Sequence, residues 1–248
     1  MRPRWAALGA ILPLVVLTAG AGDLRPTRDF LSPELRAGQE DPSRHPGWLW
    51  VEEGEALWNE GSRSCASCHG DIAGMAGVSA RYPAVAADGA LLNLEGRIER
   101  CRAEHQEQPA FGYESPALLS LTAALASRSR GLPVSVATDG PAAPFLEEGR
   151  SFYETRQGQL NLSCGQCHDA NAGRHLRGDV ISNGLGTGYP AYRLEWDGMG
   201  SLHRRLRACS LGVRATQLGL GSREYLTLEL FLASRAKGLP VEAPGLRR

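Results

Sequence analysis

Four of the six cysteines fall into two CxxCH units, Cys65-Ala-Ser-Cys68-His69 and Cys164-Gly-Gln-Cys167-His168. Two thiols at this spacing, followed at once by an imidazole, match the attachment of a c-type haem. Cys65 with Cys68, and Cys164 with Cys167, would bond the two vinyl carbons of a porphyrin. His69 and His168 would ligate the iron from the proximal side. Zinc also accepts Cys and His ligands, here Cys65, Cys68, His69 and Cys101, so a single unit leaves both chemistries open. Two units in equivalent places favour two covalently bound haem c groups.

The remaining cysteines, Cys101 and Cys209, lie 32 and 41 residues past the two haem histidines. Leu94, Ile98 and Cys101 share one face of a helix, as do Leu202, Leu206 and Cys209, at i, i+4, i+7 spacing. Each thiol therefore faces inward, where it can serve as the second axial ligand of an iron. A thiolate ligand is electron-rich and predicts a low reduction potential, whereas the thioether of Met raises it. Met75 follows His69 too closely to reach the opposite haem face, and Met199 has no counterpart in the first half. An inert buried thiol and a Cys101–Cys209 disulfide are the other readings of this pair.

The two lone thiols differ in their charge. Residues 94–105 balance three Glu against three Arg. Residues 202–214 carry Arg204, Arg205, Arg207 and Arg214 with no acid. Helical pitch places Arg205 one turn before Cys209 on the same side. Arg97 holds the same relation to Cys101 among glutamates. A planar guanidinium fork suits a small oxyanion, and positive neighbours lower a thiol's pKa. Arg204, Arg207 and Arg214 read better as solvent-facing or partner-facing charges. His203 and His175 read as surface histidines rather than assistants of the thiol.

These residues sit in a duplicated chain. Glu52-Glu-Gly-Glu-Ala-Leu-Trp58 matches Glu147-Glu-Gly-Arg-Ser-Phe-Tyr153. Leu94 to Cys101 matches Leu202 to Cys209, and Leu125 to Pro133 matches Leu232 to Pro240. The expected fold is mainly α, as two tandem cytochrome c-type domains at 46–135 and 136–248. Each begins with a helix (about 50–60 and 146–157), then CxxCH, a loop, a short helix with the lone cysteine and a longer helix. Ser115 and Pro116 open the last helix of the first copy and Gly131 closes it; Ser222 and Gly238 do so in the second. Residues 134–144 read as a linker and 178–200, with six glycines, as an irregular loop. No alternation is long enough to predict a sheet.

Composition bounds the rest. The 248 residues are 42% hydrophobic and 22% charged with a formal net charge of zero, which argues against a nucleic-acid or anionic-membrane binder. Residues 1–21 read as a signal peptide: a basic start, an apolar run from Ala6 to Ala19, then Ala19-Gly-Ala21. That run is shorter than the ~20 residues a spanning helix needs. The mature chain is expected in the periplasm, preceded by a polar extension at 22–45 and without a membrane span.

The stretch GYPAYRLEWDGMGSLHRRLRACSLGVRA (188–215) and the ending LELFLASRAKGLPVEAPGLRR (228–248) resemble the SoxA family, the dihaem cytochrome c subunits of SoxAX complexes in sulfur oxidation. The resemblance implies an L-cysteine S-thiosulfotransferase, which joins thiosulfate oxidatively to a cysteine of a SoxYZ-like carrier. It also implies a SoxX-like c-type cytochrome as heterodimer partner. Carried onto this chain, Cys209 is both haem ligand and reactive cysteine, with a persulfide intermediate, and Arg205 binds the sulfonate end of thiosulfate. The other function class compatible with two haems is a plain electron-transfer cytochrome with no substrate.

Overall fold

A glycine sets how closely the first helix of each repeat packs. In the computed structural model, which describes residues 24–248, α1 (Pro33–Glu40) precedes α2 (Gly47–Asn59). A Cβ at Gly54 of α2 would stand 2.1 Å from the carbonyl oxygen of Ser120. Ser120 belongs to α5 (Pro116–Ser127), the last helix of the first repeat; between them lie α3 (Cys65–His69), a β1–β2 hairpin (Ala84–Val85, Leu91–Leu92) and α4 (Leu94–Glu104). The second repeat repeats the device. A Cβ at Gly149 of α6 (Ala143–Glu154) would stand 2.0 Å from the Thr227 carbonyl oxygen. Thr227 lies on α9 (Arg223–Arg235), which follows α7 (Cys164–His168) and α8 (Leu202–Gly212). Two helix backbones can approach this far only where one side chain is missing. Gly149→Ala is therefore expected to cost roughly 1–3 kcal/mol, as overpacking does, read as a lower Tm in thermal unfolding of the holoprotein.

The caps match the sequence signals. The side chains of Ser115 and Ser222 accept the backbone N–H groups of Leu118 and Tyr225 at the starts of α5 and α9. Gly131 and Gly238, just past those helices, both have positive φ. The first repeat buries Val51, Trp58, Leu94, Ile98, Leu118, Leu121 and Leu125 together, and the second buries Tyr153, Leu202, Leu228 and Leu232. Among the described residues no helix is long and apolar enough to cross a membrane; residues 1–21, read as a signal peptide, lie outside the described residues.

Three sequence expectations need correction. A small sheet does form: β5 (Ala191–Arg193) pairs antiparallel with β6 (Gly198–Gly200) and parallel with β7 (Gly245–Arg247). A second hairpin joins β3 (His175–Leu176) to β4 (Asp179–Val180). So 178–200 is partly ordered as strand. Strands of two or three residues are too short to show alternation, and the β5–β7 pairing joins residues more than fifty positions apart. Residues 134–144 are no free linker, since Val134 and Val136 are buried and Val134 N–H donates to the Leu239 carbonyl. The 22–45 segment, from residue 24 on, straps the start of the chain to its end. His45 Nε2 meets the Pro244 carbonyl at 3.1 Å, and Gln39 accepts the Leu246 N–H. These partners lie about two hundred residues away, beyond any local pattern.

Candidate active site

In the first repeat the CxxCH helix and the lone-cysteine helix line a common void. Ser64 caps α3 by accepting the Ser67 N–H, and the Trp58 indole donates to the Gly70 carbonyl at its other end. Cys65 and His69 line one side of the void, and Leu94, Ile98 and Cys101 line the other. Trp58, Leu121 and Leu125 supply apolar walls. Cys68 is exposed, yet close enough for its charge to act on Cys101.

In the second repeat α7 starts with a reciprocal capping box between Ser163 and Gln166. His168 Nδ1 donates to the Ser182 carbonyl at 2.8 Å. A carbonyl can only accept, so Nδ1 carries the proton and Nε2 is left as the ligating nitrogen. Cys209 lies close enough for its charge to act on His168. Gly184, at φ +72°, leaves room for the ring: a Cβ there would stand 2.7 Å from His168 Cγ. Gly184→Ala is expected to displace His168 and lower haem retention by the second CxxCH unit, measured as the haem-to-protein ratio of purified holoprotein.

The two lone thiols sit in opposite electrostatic settings. Burial pushes Cys209 up, but the nearness of His168 and the charges of Arg205 and Arg193 outweigh it and hold the thiol below its ordinary pKa. At Cys101 burial also raises the pKa, Cys68 and Glu104 add to it, and Arg97 alone opposes, so the thiol lies above its ordinary value. Burial carries Cys164 up to about 11. Arg205 is held protonated chiefly by the Cys209 thiolate. Its neighbours are neutralised otherwise. Arg204 pairs with Glu114 at 3.6 Å and lies over the Trp196 ring, and Arg193 pairs with Glu195 at 2.8 Å. Among the described residues Arg205 has no such carboxylate, which leaves its fork free for an anion at Cys209.

The structure removes several alternatives. Met199 is buried in the core of the first repeat, beside Gly47. All six cysteines are free. Among the described residues no three His, Cys, Asp or Glu side chains are gathered as a bare-metal site. His175 is exposed as expected. His203 is not a surface residue: it is 1% exposed and touches Glu229 at 2.9 Å. Sequence reasoning missed Arg193, which is buried and donates to Tyr189 Oη at 3.4 Å. It also missed Ser182, which acts through its backbone and leaves no residue-type signal. Gly184 was visible only as one of the loop glycines.

The family profile described as SoxA/TsdA, cytochrome c domain, matches residues 53–134 and 148–241. The chain belongs to the SoxA/TsdA cytochrome c family. It is 39% identical over 231 residues to the L-cysteine S-thiosulfotransferase subunit SoxA of Rhodovulum sulfidophilum, covering 91% of this chain and 80% of that relative. The SoxA subunit of Paracoccus pantotrophus is 36% identical over 223 residues, covering 88% and 77%. The crystal structure of SoxXA from P. pantotrophus superposes with a TM-score of 0.87 at 36% identity, covering 91% of this chain and 87% of that one. As cytochrome c domains of the SoxA/TsdA family, the matched regions imply covalently bound haem c. The donors here fit it: paired thiols and an imidazole on one side, a thiol on the other, and apolar walls where the first void is measurable.

Proposed function

We propose that the chain is the SoxA-type subunit of an exported L-cysteine S-thiosulfotransferase, with one haem c on each CxxCH unit and its reactive sulfur at Cys209. Cys65 and Cys68 would hold one haem, and His69 and Cys101 would bind its iron. Cys164 and Cys167 would hold the other, and His168 and Cys209 would bind its iron. The observation that carries this reading is the setting of Cys209: a thiol held below its ordinary pKa beside an Arg205 that has no carboxylate partner among the described residues. The haem, when bound, supplies a one-electron acceptor.

Arg205 donates to the sulfonate oxygens of thiosulfate through its planar fork and turns the outer sulfur toward Cys209. A sulfur–sulfur bond forms between that sulfur and the sulfur at Cys209, and two electrons leave the pair for the electron-transfer partner. The thiolate of the carrier, a SoxYZ-like protein, then attacks the outer sulfur. The bond to Cys209 breaks, Cys209 leaves as thiolate, and the carrier keeps the thiosulfonate group, as in thiol–disulfide exchange. The charges balance: one thiolate enters and one leaves. A SoxX-like cytochrome is the proposed heterodimer partner, and the periplasm the proposed compartment, reached through the segment 1–21.

Mass spectrometry of intact mature protein tests the composition. Two haem masses and loss of the first 21 residues are expected. One haem, or a retained leader, contradicts that part of the proposal.

A further inference from the structure

The duplication places Glu95 and His203 at equivalent positions, each six residues before its lone cysteine and each next to a matched leucine, Leu94 or Leu202. In the fold these positions meet between the two repeats, on the two helices that carry Cys101 and Cys209. Thr122 and Glu229 are a second equivalent pair, counted back from the matched Leu125 and Leu232. Glu95, Thr122 and Glu229 line a cavity, with Leu94 on the side of the first repeat and Leu202 on the side of the second. The duplication thus gives a roughly symmetric cavity lined with unsymmetric charges.

The titratable groups that act on Glu95 come from several elements. Glu229 comes from α9, His203 from α8, and Glu114 and Tyr113 from the loop before α5. His203 touches Glu229 at 2.9 Å and stacks on Tyr113. Asn93 donates to Glu229 at 3.1 Å and accepts from Tyr113 at 2.9 Å. Glu114 is taken by Arg204 and the Ser201 N–H. Among the described residues Glu95 has no cationic partner: it is 6% exposed, and the hydrogen bond it receives comes from its own backbone. Burial, then the charge of Glu229, push its carboxyl up to about 7, with His203 opposing. A carboxyl that is buried, unpaired and set beside a cavity large enough for water is a place where a proton enters and leaves.

We propose that Glu95, with the His203–Glu229 pair beside it, is a proton-binding site that takes up one proton from solvent as one electron enters the haem groups carried by the two repeats. The balance is one electron and one proton in: a bound haem would take the electron, and the Glu95 carboxylate would take the proton and become a carboxylic acid. The electron comes from the sulfur substrate in turnover, or from an added reductant such as dithionite in a titration. The charge that reduction adds to a low-dielectric interior is thereby cancelled between the repeats. The inference rests on the haem reading above.

The test is a spectroscopic redox titration of the holoprotein at pH values from 6 to 8, with haem content measured on the same samples. For the wild type, the equilibrium constant for reduction is expected to fall severalfold per pH unit, with tenfold as the limit for one proton per electron. Glu95→Gln is expected to flatten that dependence while keeping its haem. A flat wild-type titration in protein with full haem content overturns the proposal, and so does an undiminished slope in the variant. Missing haem would instead sink the cofactor reading. Because the variant can fail to fold, redox-difference infrared spectroscopy of the wild type provides a second measurement. Reduction should add a protonated-carboxyl C=O band, and its absence overturns the proposal.

Discussion

Cys209→Ser abolishes the joining of thiosulfate to the carrier thiol, while haem stays attached through Cys164 and Cys167. The expected loss in kcat is that of removing a catalytic nucleophile, roughly 10⁴- to 10⁶-fold. A serine hydroxyl is close in size, so packing on α8 is preserved, but it makes no sulfur–sulfur bond and remains protonated at neutral pH. Cys101→Ser is the internal comparison. Its thiol stands at the matched position of the repeat, yet burial and its neighbours Cys68 and Glu104 hold it above its ordinary pKa. Removing it should change the spectrum of the first haem and leave conjugation nearly intact. Steady-state assays with thiosulfate, carrier and a cytochrome acceptor separate the two variants. Comparable activity in both would refute the assignment of chemistry to Cys209.

Arg205→Ala should lower kcat/KM for thiosulfate by roughly 10- to 150-fold. Hydrogen bonds to charged groups contribute about 1.5–3 kcal/mol, and each 1.36 kcal/mol is tenfold. Two effects act together. The sulfonate loses its donor fork, and Cys209 loses a charge that offsets the cost of its burial. Arg205→Lys keeps the charge but not the bidentate geometry, so it should recover part of the loss, mostly in KM. Raising ionic strength should weaken the wild type more than Arg205→Ala, since screening acts on the charge that the variant lacks. An electron-transfer cytochrome without a substrate of its own predicts that none of these changes matters.

What the sequence made legible was what repeats locally. The CxxCH units, the cysteine at i+7 of an apolar helix face, the serine caps and the closing glycines are all written within ten residues of where they act. The matching of Leu94–Cys101 to Leu202–Cys209 was enough to find Arg205, because helical pitch alone puts it beside Cys209. What stayed hidden depends on partners far along the chain. His203 looks like one more polar residue in an arginine-rich run, and only Glu229 on another helix makes it a buried group. Met199 could be weighed as an iron ligand because nothing nearby in sequence shows it buried against the first repeat. The strap from Gln39 and His45 to residues 244–247 joins opposite ends of the chain. The proximal support of His168 comes from a backbone carbonyl, which any residue at position 182 would provide.

Low-temperature electron paramagnetic resonance of the ferric protein, recorded for the wild type and for Cys209→Ser, tests the central claim most directly. The account predicts low-spin histidine–thiolate signals in the wild type and the loss of one set in the variant, with the other unchanged. A wild-type spectrum of histidine–methionine or bis-histidine type at the second haem, or a spectrum that Cys209→Ser does not alter, would contradict it.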